Sequence, residues 1–414
     1  MKRRDLIKGL SLLPLTDYSV IGSPDSLFSK KGASSTEMFF NSDLHRDAFV
    51  MDGHIHVMTR QLLEGLDISQ RYPDGHIDLP RAIEGGLDAM FFSVYTPEPY
   101  YPGRHEIKNT FRVIELALAQ IEKNNNLIEL ARSANEITAI NKKGKLAAFL
   151  DLEGGFDLDG DLNLLKALYR LGLRCLQLTA HNKTNGFIDA CNDIKRWGGI
   201  NDHGRKIIRE MNHLGMVINV AHASDDAILQ SAEASTDPII YSHGGFRAIV
   251  DNPRCITDEG ARAIAAKGGV IGIQFGSSFN NPKYAAWQKS LQRTVAKSDQ
   301  GSKDLKKLTI EEIDKEIAKD LPFVYKPRIP DEYWMGTDQL AKVIDYGVRL
   351  LGEDHIALGS DFDGGPPLPR QIKDVSDYPQ MTIAMQEMGY SERRIRKILG
   401  TNWLRVIAEV TNKK

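Results

Sequence analysis

The sequence predicts a (β/α)8 barrel, because eight apolar segments alternate with helical patterns and metal-binding side chains stand at the ends of five of them. The segments are continuous hydrophobic runs, which is typical of strands buried on both faces of a parallel sheet. Eight strands of this kind close a barrel. The predicted strands are Phe49–His56, Leu87–Thr96, Leu146–Glu153, Arg174–Thr179, Met216–His222, Ile239–His243, Gly269–Phe275 and Ile356–Asp361.

Helical patterns fill the segments between these strands. The clearest predicted helices each end before a glycine and are Leu162–Leu171, Asp202–Leu214 and Thr257–Lys267. Glycine is the residue that most readily ends a helix, and Thr257 is a favourable N-cap. Strand–helix–strand repetition of this kind indicates a parallel sheet.

One long segment, Ser277–Thr337, interrupts the alternation after the seventh predicted strand. It is charged and carries aromatic residues. In a barrel this loop overhangs the mouth, so we expect it to act as a lid. We therefore interpret residues 37–414 as a single barrel domain with an insertion at 277–337.

Residues 1–36 are predicted to be an export signal and a flexible leader. Arg3 and Arg4 precede the weakly apolar stretch Gly9–Leu15, a pattern typical of twin-arginine signals. This favours export to a periplasm, with a frayed cytoplasmic terminus as the alternative. The stretch is too short to span a membrane as a helix.

The overall composition is that of an ordinary globular protein. Hydrophobic residues make up 42% of the chain, charged residues 26%, and the formal net charge is -2. The sequence shows no basic stripe, so nucleic acid is excluded as an expected partner. The expected partner is a small molecule.

Four histidines and two acidic residues form the candidate metal site. His54 and His56 lie two apart in a strand and so share one face. Glu153 directly follows a buried run, where a carboxylate is costly unless it is paired or binds cations, and it can bridge two ions.

The other half of the predicted site follows later strands. His222 and His243 are the candidate ligands of a second ion, and Asp361 can accept a proton from the attacking water. A buried structural histidine or a salt bridge explains any one of these residues alone. Their joint placement favours a centre of two zinc-type ions.

With these residues identified, the chain resembles the membrane dipeptidase family, also called renal dipeptidase. The resemblance runs from about Phe49 to Val410 and rests on the motifs DGHIH, HIDLPRAIEGGLDAMFFSVY, DLEGG, EMNHLGMVINVAHAS, YSHGG, NPRCITDE, GSDFDG and ILGTNWLRVI. It implies a barrel hydrolase with two zinc ions that cleaves dipeptides by means of a hydroxide bridging the metals. The family often forms homodimers, and the sequence leaves the oligomeric state open.

The resemblance also implies roles for individual residues. The implied metal ligands are His54, Glu153, His222, His243 and Asp361, the last also carrying the proton. Arg254 would hold the substrate's terminal carboxylate, for which a guanidinium offers a bidentate fork. His181 would stabilise the oxyanion, although Thr-Ala-His replaces the family's Thr-His here.

Two residues depart from the family pattern. His56 stands where the family has an aspartate, which removes one negative charge from the site. We expect this change to lower the pKa of bound water and to weaken metal retention. Cys255 follows Arg254 where asparagine is commoner, which could change how the arginine is held.

Two alternatives to a dipeptidase remain open at this point. His56 and the insertion motivate another metal-dependent amidohydrolase, such as an N-acyl-amino-acid deacylase. A non-catalytic binding protein that has kept the fold is the other alternative. The almost complete ligand set argues against it.

Overall fold

The computed structural model describes residues 43–56, 64–95, 106–154, 160–179, 183–294, 309, 312, 315, 329–365 and 367–412. The predicted export signal and His181 lie outside the described residues. About half of the predicted insertion lies outside them as well, and its lid role stays a prediction. No helix among the described residues has both the length and the apolar character needed to cross a membrane.

The strands form a parallel barrel, which confirms the predicted fold class. They are β1 (Met51–Ile55), β2 (Ala89–Tyr95), β3 (Ile128–Ala131), β4 (Leu146–Glu153), β5 (Cys175–Gln177), β6 (Val217–Asn219), β7 (Ile239–Gly244), β8 (Val270–Ile273) and β9 (Ile356–Leu358). Eight of them pair in the order β1-β2-β4-β5-β6-β7-β8-β9. Backbone hydrogen bonds join the two ends, from Asp361 N to His54 O and from His56 N to Phe362 O, both at 3.0 Å.

The additional strand, β3, was not predicted from the sequence. It pairs with the first half of β4, while β5 pairs with Asp151 and Leu152 farther along the same edge. Only the two end residues of β3 are buried, so its sequence lacks the continuous apolar run on which the prediction depended.

Most strands are shorter than predicted, and this changes the setting of two site residues. β6 ends at Asn219 and β9 at Leu358, so His222 and Asp361 lie in the loops that follow. Both have left-handed backbone conformations, with φ of 64° and 61°. Non-glycine residues rarely adopt this conformation, and it occurs preferentially at functional sites.

Helices surround the barrel and include those predicted. They are α1 (Leu44–Asp47), α2 (Leu79–Glu84), α3 (Glu106–Lys123), α4 (Ala134–Lys142), α5 (Leu162–Leu171), α6 (Asp202–Leu214), α7 (Asp225–Ala234), α8 (Asp258–Ala266), α9 (Ser277–Asn280), α10 (Pro282–Thr294), α11 (Thr337–Leu351), α12 (Pro379–Glu387), α13 (Glu392–Arg396) and α14 (Asn402–Thr411). As predicted, Thr257 caps α8 by accepting a hydrogen bond from Gly260 N. Gly172 and Gly215 end α5 and α6 in left-handed conformations.

Strand β4 shows how the barrel interior is organised. Ala147 and Phe149 belong to an apolar cluster inside the barrel that also contains Trp403 of α14. Asp151 and Glu153 follow at the same alternation, and both are buried. The inward face of this strand therefore changes from apolar to acidic toward its C-terminal end.

Candidate metal centre

Glu153 lies at the middle of the candidate site, and each of its two oxygens faces a different pair of histidines. Oε2 is 3.1 Å from His54 Nε2 and 2.9 Å from His56 Nε2. Oε1 is 3.2 Å from His222 Nε2 and 3.8 Å from His243 Nε2. One buried carboxylate thus connects two half-sites, as a bridging ligand would.

The first half-site combines two histidines with acidic groups. The Nε2 atoms of His54 and His56 are 3.0 Å apart. Asp361 Oδ1 lies 3.2 Å from His56 Nε2. On the other side of the His54 ring, Nδ1 is 3.1 Å from Ser93 Oγ, which itself donates to Asp151 at 2.9 Å. This outer hydrogen bond fixes the ring so that Nε2 faces the site.

A shift in strand pairing directs these histidines inward. Met51 packs inside the barrel, so strict alternation along β1 would place His54 on the outer face. The register between β1 and β2 shifts between Asp52 and Ile55, and this shift turns the His54 side chain to the inner face. β7 has a similar shift, between Tyr241 and Gly244, next to His243. Such irregularities commonly re-aim side chains beside active sites.

The second half-site holds the remaining two histidines. The Nε2 atoms of His222 and His243 are 3.2 Å apart. His243 Nδ1 is 2.8 Å from Ser242 Oγ, which is its orienting partner. The His243 ring also stacks on His54, with ring centroids 3.8 Å apart, so the two half-sites are in direct contact.

Burial and charge act in opposite directions on the groups of the first half-site. Burial would raise the pKa of Glu153, but His56 and His54 outweigh it and hold this pKa well below its usual value. Burial would lower the pKa of both histidines, but Glu153 outweighs it, aided by Asp151 and Asp361. The pKa rises to about 9 for His54 and about 10 for His56.

The second half-site has the opposite balance. Burial lowers the pKa of His243 well below its usual value, and the charges of His54 and Arg254 lower it further. A neutral imidazole is the form that coordinates a metal. A cation binding at the first half-site would therefore displace protons from His54 and His56, whereas His243 in the second half-site is already neutral.

The described residues fit a pair of zinc-type ions. Three groups of potential ligands have donor atoms within 4.8 Å of one another: His54, His56 and Glu153; His54, His243 and Asp361; and Glu153, His222 and His243. Two pairs of imidazole nitrogens face each other at hydrogen-bond distance inside the protein. A cation shared by each pair accounts for this arrangement, and nitrogen and oxygen donors suit zinc.

Arg254 lies beside the second half-site and is buried. Its Nε donates to His222 Nε2 at 3.1 Å, Nη1 to Tyr241 Oη at 2.7 Å, and Nη2 to the carbonyl oxygen of His243 at 2.9 Å. A buried guanidinium next to the histidines is consistent with a role in binding an anionic part of a substrate.

Several polar residues at the site were not singled out from the sequence. Ser93, Asp151 and Ser242 orient histidines, and Gln274 Nε2 donates to Asp361 Oδ2. The available signal was weak: Ser93, Asp151 and Ser242 are polar residues inside otherwise apolar strands, and Gln274 directly follows one. Asp363 has a left-handed φ of 60° and accepts a hydrogen bond from His76 N at 2.5 Å.

Comparison with known proteins agrees with this geometry. Residues 38–414 match the model of the membrane dipeptidase family, peptidase family M19. Dipeptidase tcpJ of Claviceps purpurea is 30% identical over 344 residues, covering 81% of this chain and 69% of that protein.

Solved structures share the fold. The probable dipeptidase PvdM from Pseudomonas aeruginosa superposes with a TM-score of 0.73 at 23% identity, covering 90% of this chain and 98% of that one. A metallopeptidase from Rhodobacter sphaeroides, solved with a phosphinate mimic of the dipeptide L-Ala-D-Ala, gives 0.67 at 23% identity, covering 88% and 100%. The family model, which matches nearly the whole chain, decides the assignment: this protein belongs to the membrane dipeptidase family of metallopeptidases.

Proposed function

We propose that the protein is a zinc-dependent dipeptidase with two metal ions per chain. The observation that carries the proposal is the arrangement of Glu153, whose Oε2 faces His54 and His56 and whose Oε1 faces His222 and His243. These five residues and Asp361 would hold the ions. When bound, zinc would supply Lewis acidity toward the scissile carbonyl and activate water for attack.

The roles of the protein groups follow from their positions. Asp361 lies at the first half-site with Oδ2 held by Gln274, which leaves Oδ1 on the side of His56. It would accept the proton of the attacking water and return it to the leaving amine. Arg254 would bind the carboxylate of the dipeptide as a charge-assisted pair. The role of His181 toward the oxyanion stays a prediction.

The test is hydrolysis of a substrate panel by the zinc-reconstituted protein. The panel contains dipeptides with L- or D-residues at the C-terminal position and N-acyl amino acids, with a chelator-treated control. Bound metal is measured by elemental analysis on the same samples. We expect chelator-sensitive cleavage of free dipeptides with about two zinc ions per chain.

Two other outcomes would contradict the proposal in different ways. Cleavage of N-acyl amino acids with no cleavage of dipeptides would indicate a deacylase on the same barrel. A protein that binds no divalent metal and cleaves neither class would indicate a non-catalytic binding protein.

A further inference from the structure

We propose that Tyr241 is a positioning residue that orients the Arg254 guanidinium toward the carboxylate of the substrate. The inference rests on the proposed function, because it assumes that Arg254 binds this carboxylate. Tyr241 lies in β7 and is not one of the candidate metal ligands.

The Tyr241 hydroxyl contacts Arg254 twice. It donates to the Arg254 carbonyl oxygen at 2.6 Å and accepts from Arg254 Nη1 at 2.7 Å. The direction of both bonds is determined, because a guanidinium can only donate and a carbonyl can only accept. One hydroxyl therefore ties the main chain and the side chain of the same residue together.

The Tyr241 hydroxyl lies inside the protein, since the residue is 2% exposed. The absence of a side chain at Gly244 leaves room for Tyr241 and Arg254. A Cβ at this position would lie 2.4 Å from Tyr241 Cε1 and 3.1 Å from Arg254 Nη1.

The other contacts of Arg254 explain why Tyr241 matters for binding. Of the three groups that accept hydrogen bonds from the guanidinium, one is His222 Nε2, the nitrogen that faces Glu153 and would coordinate a metal. A coordinating nitrogen has no lone pair left for Arg254. Tyr241 Oη and the His243 carbonyl are then the remaining anchors.

The contacts of the Arg254 guanidinium leave hydrogen-bond donors for a substrate. A guanidinium has five N–H groups, and Arg254 uses three of them in contacts with described residues. Among the described contacts, one N–H is left over on each terminal nitrogen. A carboxylate bound in bidentate fashion needs two N–H donors, and the two anchors fix the orientation of the group that carries them.

The test is the Tyr241→Phe variant, which keeps the ring and removes the hydroxyl. The substrates are a dipeptide and the same dipeptide with a C-terminal amide. We expect KM for the free dipeptide to rise about tenfold, the loss typical of one hydrogen bond to a charged group, with kcat nearly unchanged. KM for the amide should not change, because the amide does not pair with the guanidinium charge.

Controls separate positioning from damage to the fold. Tyr346→Phe removes a hydroxyl that bonds to Asp258 on the outer helices and should leave both KM values unchanged. Zinc content and thermal unfolding should match the wild type in both variants. In an Arg254→Met background, Tyr241→Phe should have no further effect on the KM of the free dipeptide, since the two residues act as one unit.

Binding of a phosphinate dipeptide mimic and its C-terminal amide, measured by calorimetry, gives a readout that does not depend on turnover. Weaker binding of the carboxylate form alone in Tyr241→Phe supports the inference. Unchanged binding, or an equal loss for both forms, overturns it while the activity of the wild type upholds the proposed function. If the wild type neither cleaves dipeptides nor distinguishes the two phosphinates, both proposals fail together.

Discussion

The two ends of the barrel interior differ in chemistry although the same strands build both. At the N-terminal end, which we call the floor, Ala147 and Phe149 of β4 pack in the apolar cluster with Trp403. At the C-terminal end, the mouth, Asp151 and Glu153 of the same strand contact histidines. Stability and chemistry are thus separated along β4, as is general for the strands of β/α barrels.

Unusual backbone conformations follow the same division. The non-glycine residues with positive φ in the described part of the chain are His222, Asp361 and Asp363, all at the mouth. At the floor, Trp403 is fully buried and its indole nitrogen donates to Leu358 O at 2.9 Å. Substitutions at the two ends should therefore affect different properties.

The largest expected effect is on activity, from Glu153→Gln at the mouth. Removing the charge of the carboxylate that we propose bridges the ions should lower kcat/KM by more than about a hundredfold, beyond the loss typical of an outer partner of a metal ligand. Bound zinc, measured by elemental analysis, should fall as well. Thermal unfolding of the metal-free protein should become easier, because His54 and His56 lose the buried carboxylate that raises their pKa.

A matched control for this variant is Glu129→Gln, which changes a carboxylate on the neighbouring strand β3 that pairs with Lys143 and Lys145. It should keep zinc and activity. Full zinc content and activity in Glu153→Gln would contradict the bridging role.

At the floor, Trp403→Ala should have the largest effect on stability. The side chain is fully buried and packs edge-on against Phe91, with ring centroids 5.4 Å apart. We expect unfolding to become easier by about 3–5 kcal/mol, as for other large-to-small changes in a core. Urea unfolding followed by circular dichroism measures this loss, with Ile194→Ala, at a residue 81% exposed, as the control.

If the floor and the mouth are independent, the folded fraction of the Trp403→Ala protein should have the zinc content and the kcat of the wild type. A loss of zinc at conditions where the variant is fully folded would show that the floor and the mouth are not independent.

Gly53→Ala tests the junction between the two ends. A Cβ at this position would lie 2.4 Å from Trp403 Cζ2, and the next residue is His54. Overpacking of this kind typically costs about 1–3 kcal/mol, and the resulting shift of β1 should also reduce zinc affinity. The measurements are urea unfolding and zinc titration with a competing chelator.

The double variant Gly53→Ala/Trp403→Phe tests whether contact with the Trp403 ring causes this loss of stability. Trp403→Phe removes the ring atom that the new methyl group would meet, so Gly53→Ala should cost less in that background. Equal costs in both backgrounds would locate the strain elsewhere.

The smallest expected effect is at the exterior of the floor. Glu353 precedes β9 and pairs with Arg394 at 3.0 Å and Lys397 at 2.9 Å. The hydrogen bonds from these two cations lower its pKa to about 2. Glu353→Gln should cost less than about 1 kcal/mol, as surface pairs usually do.

The pH dependence of this loss has a definite sign. Because the pKa is lowered in the folded state, the stabilisation is present above the ordinary value of 4.5 and disappears as the pH falls through about 2. Unfolding free energies of wild type and variant should differ at pH 7 and converge below pH 2. A difference that persists at that pH would exclude the ion pairs as its cause.

Much of this protein could be predicted from local sequence pattern. Buried strands of a parallel sheet are apolar throughout, so seven of the predicted strands needed only corrections of their ends, and β4 (Leu146–Glu153) agrees at both ends. Helix ends at Gly172 and Gly215 followed from the conformational freedom of glycine. β3 was missed because it is only half buried and so has no such pattern.

The sequence by itself determined the barrel and the identity of the side chains that gather at its mouth, since strand alternation and ligand chemistry are local properties. Only the tertiary structure decided how those side chains are aimed. The register shift in β1 turns His54 inward, and the division of the Glu153 oxygens between two histidine pairs requires four strands to be in place. The Tyr241 hydroxyl meets Arg254 across 13 positions of sequence. Contacts of this kind depend on the relative placement of packed strands and loops, which no local pattern records.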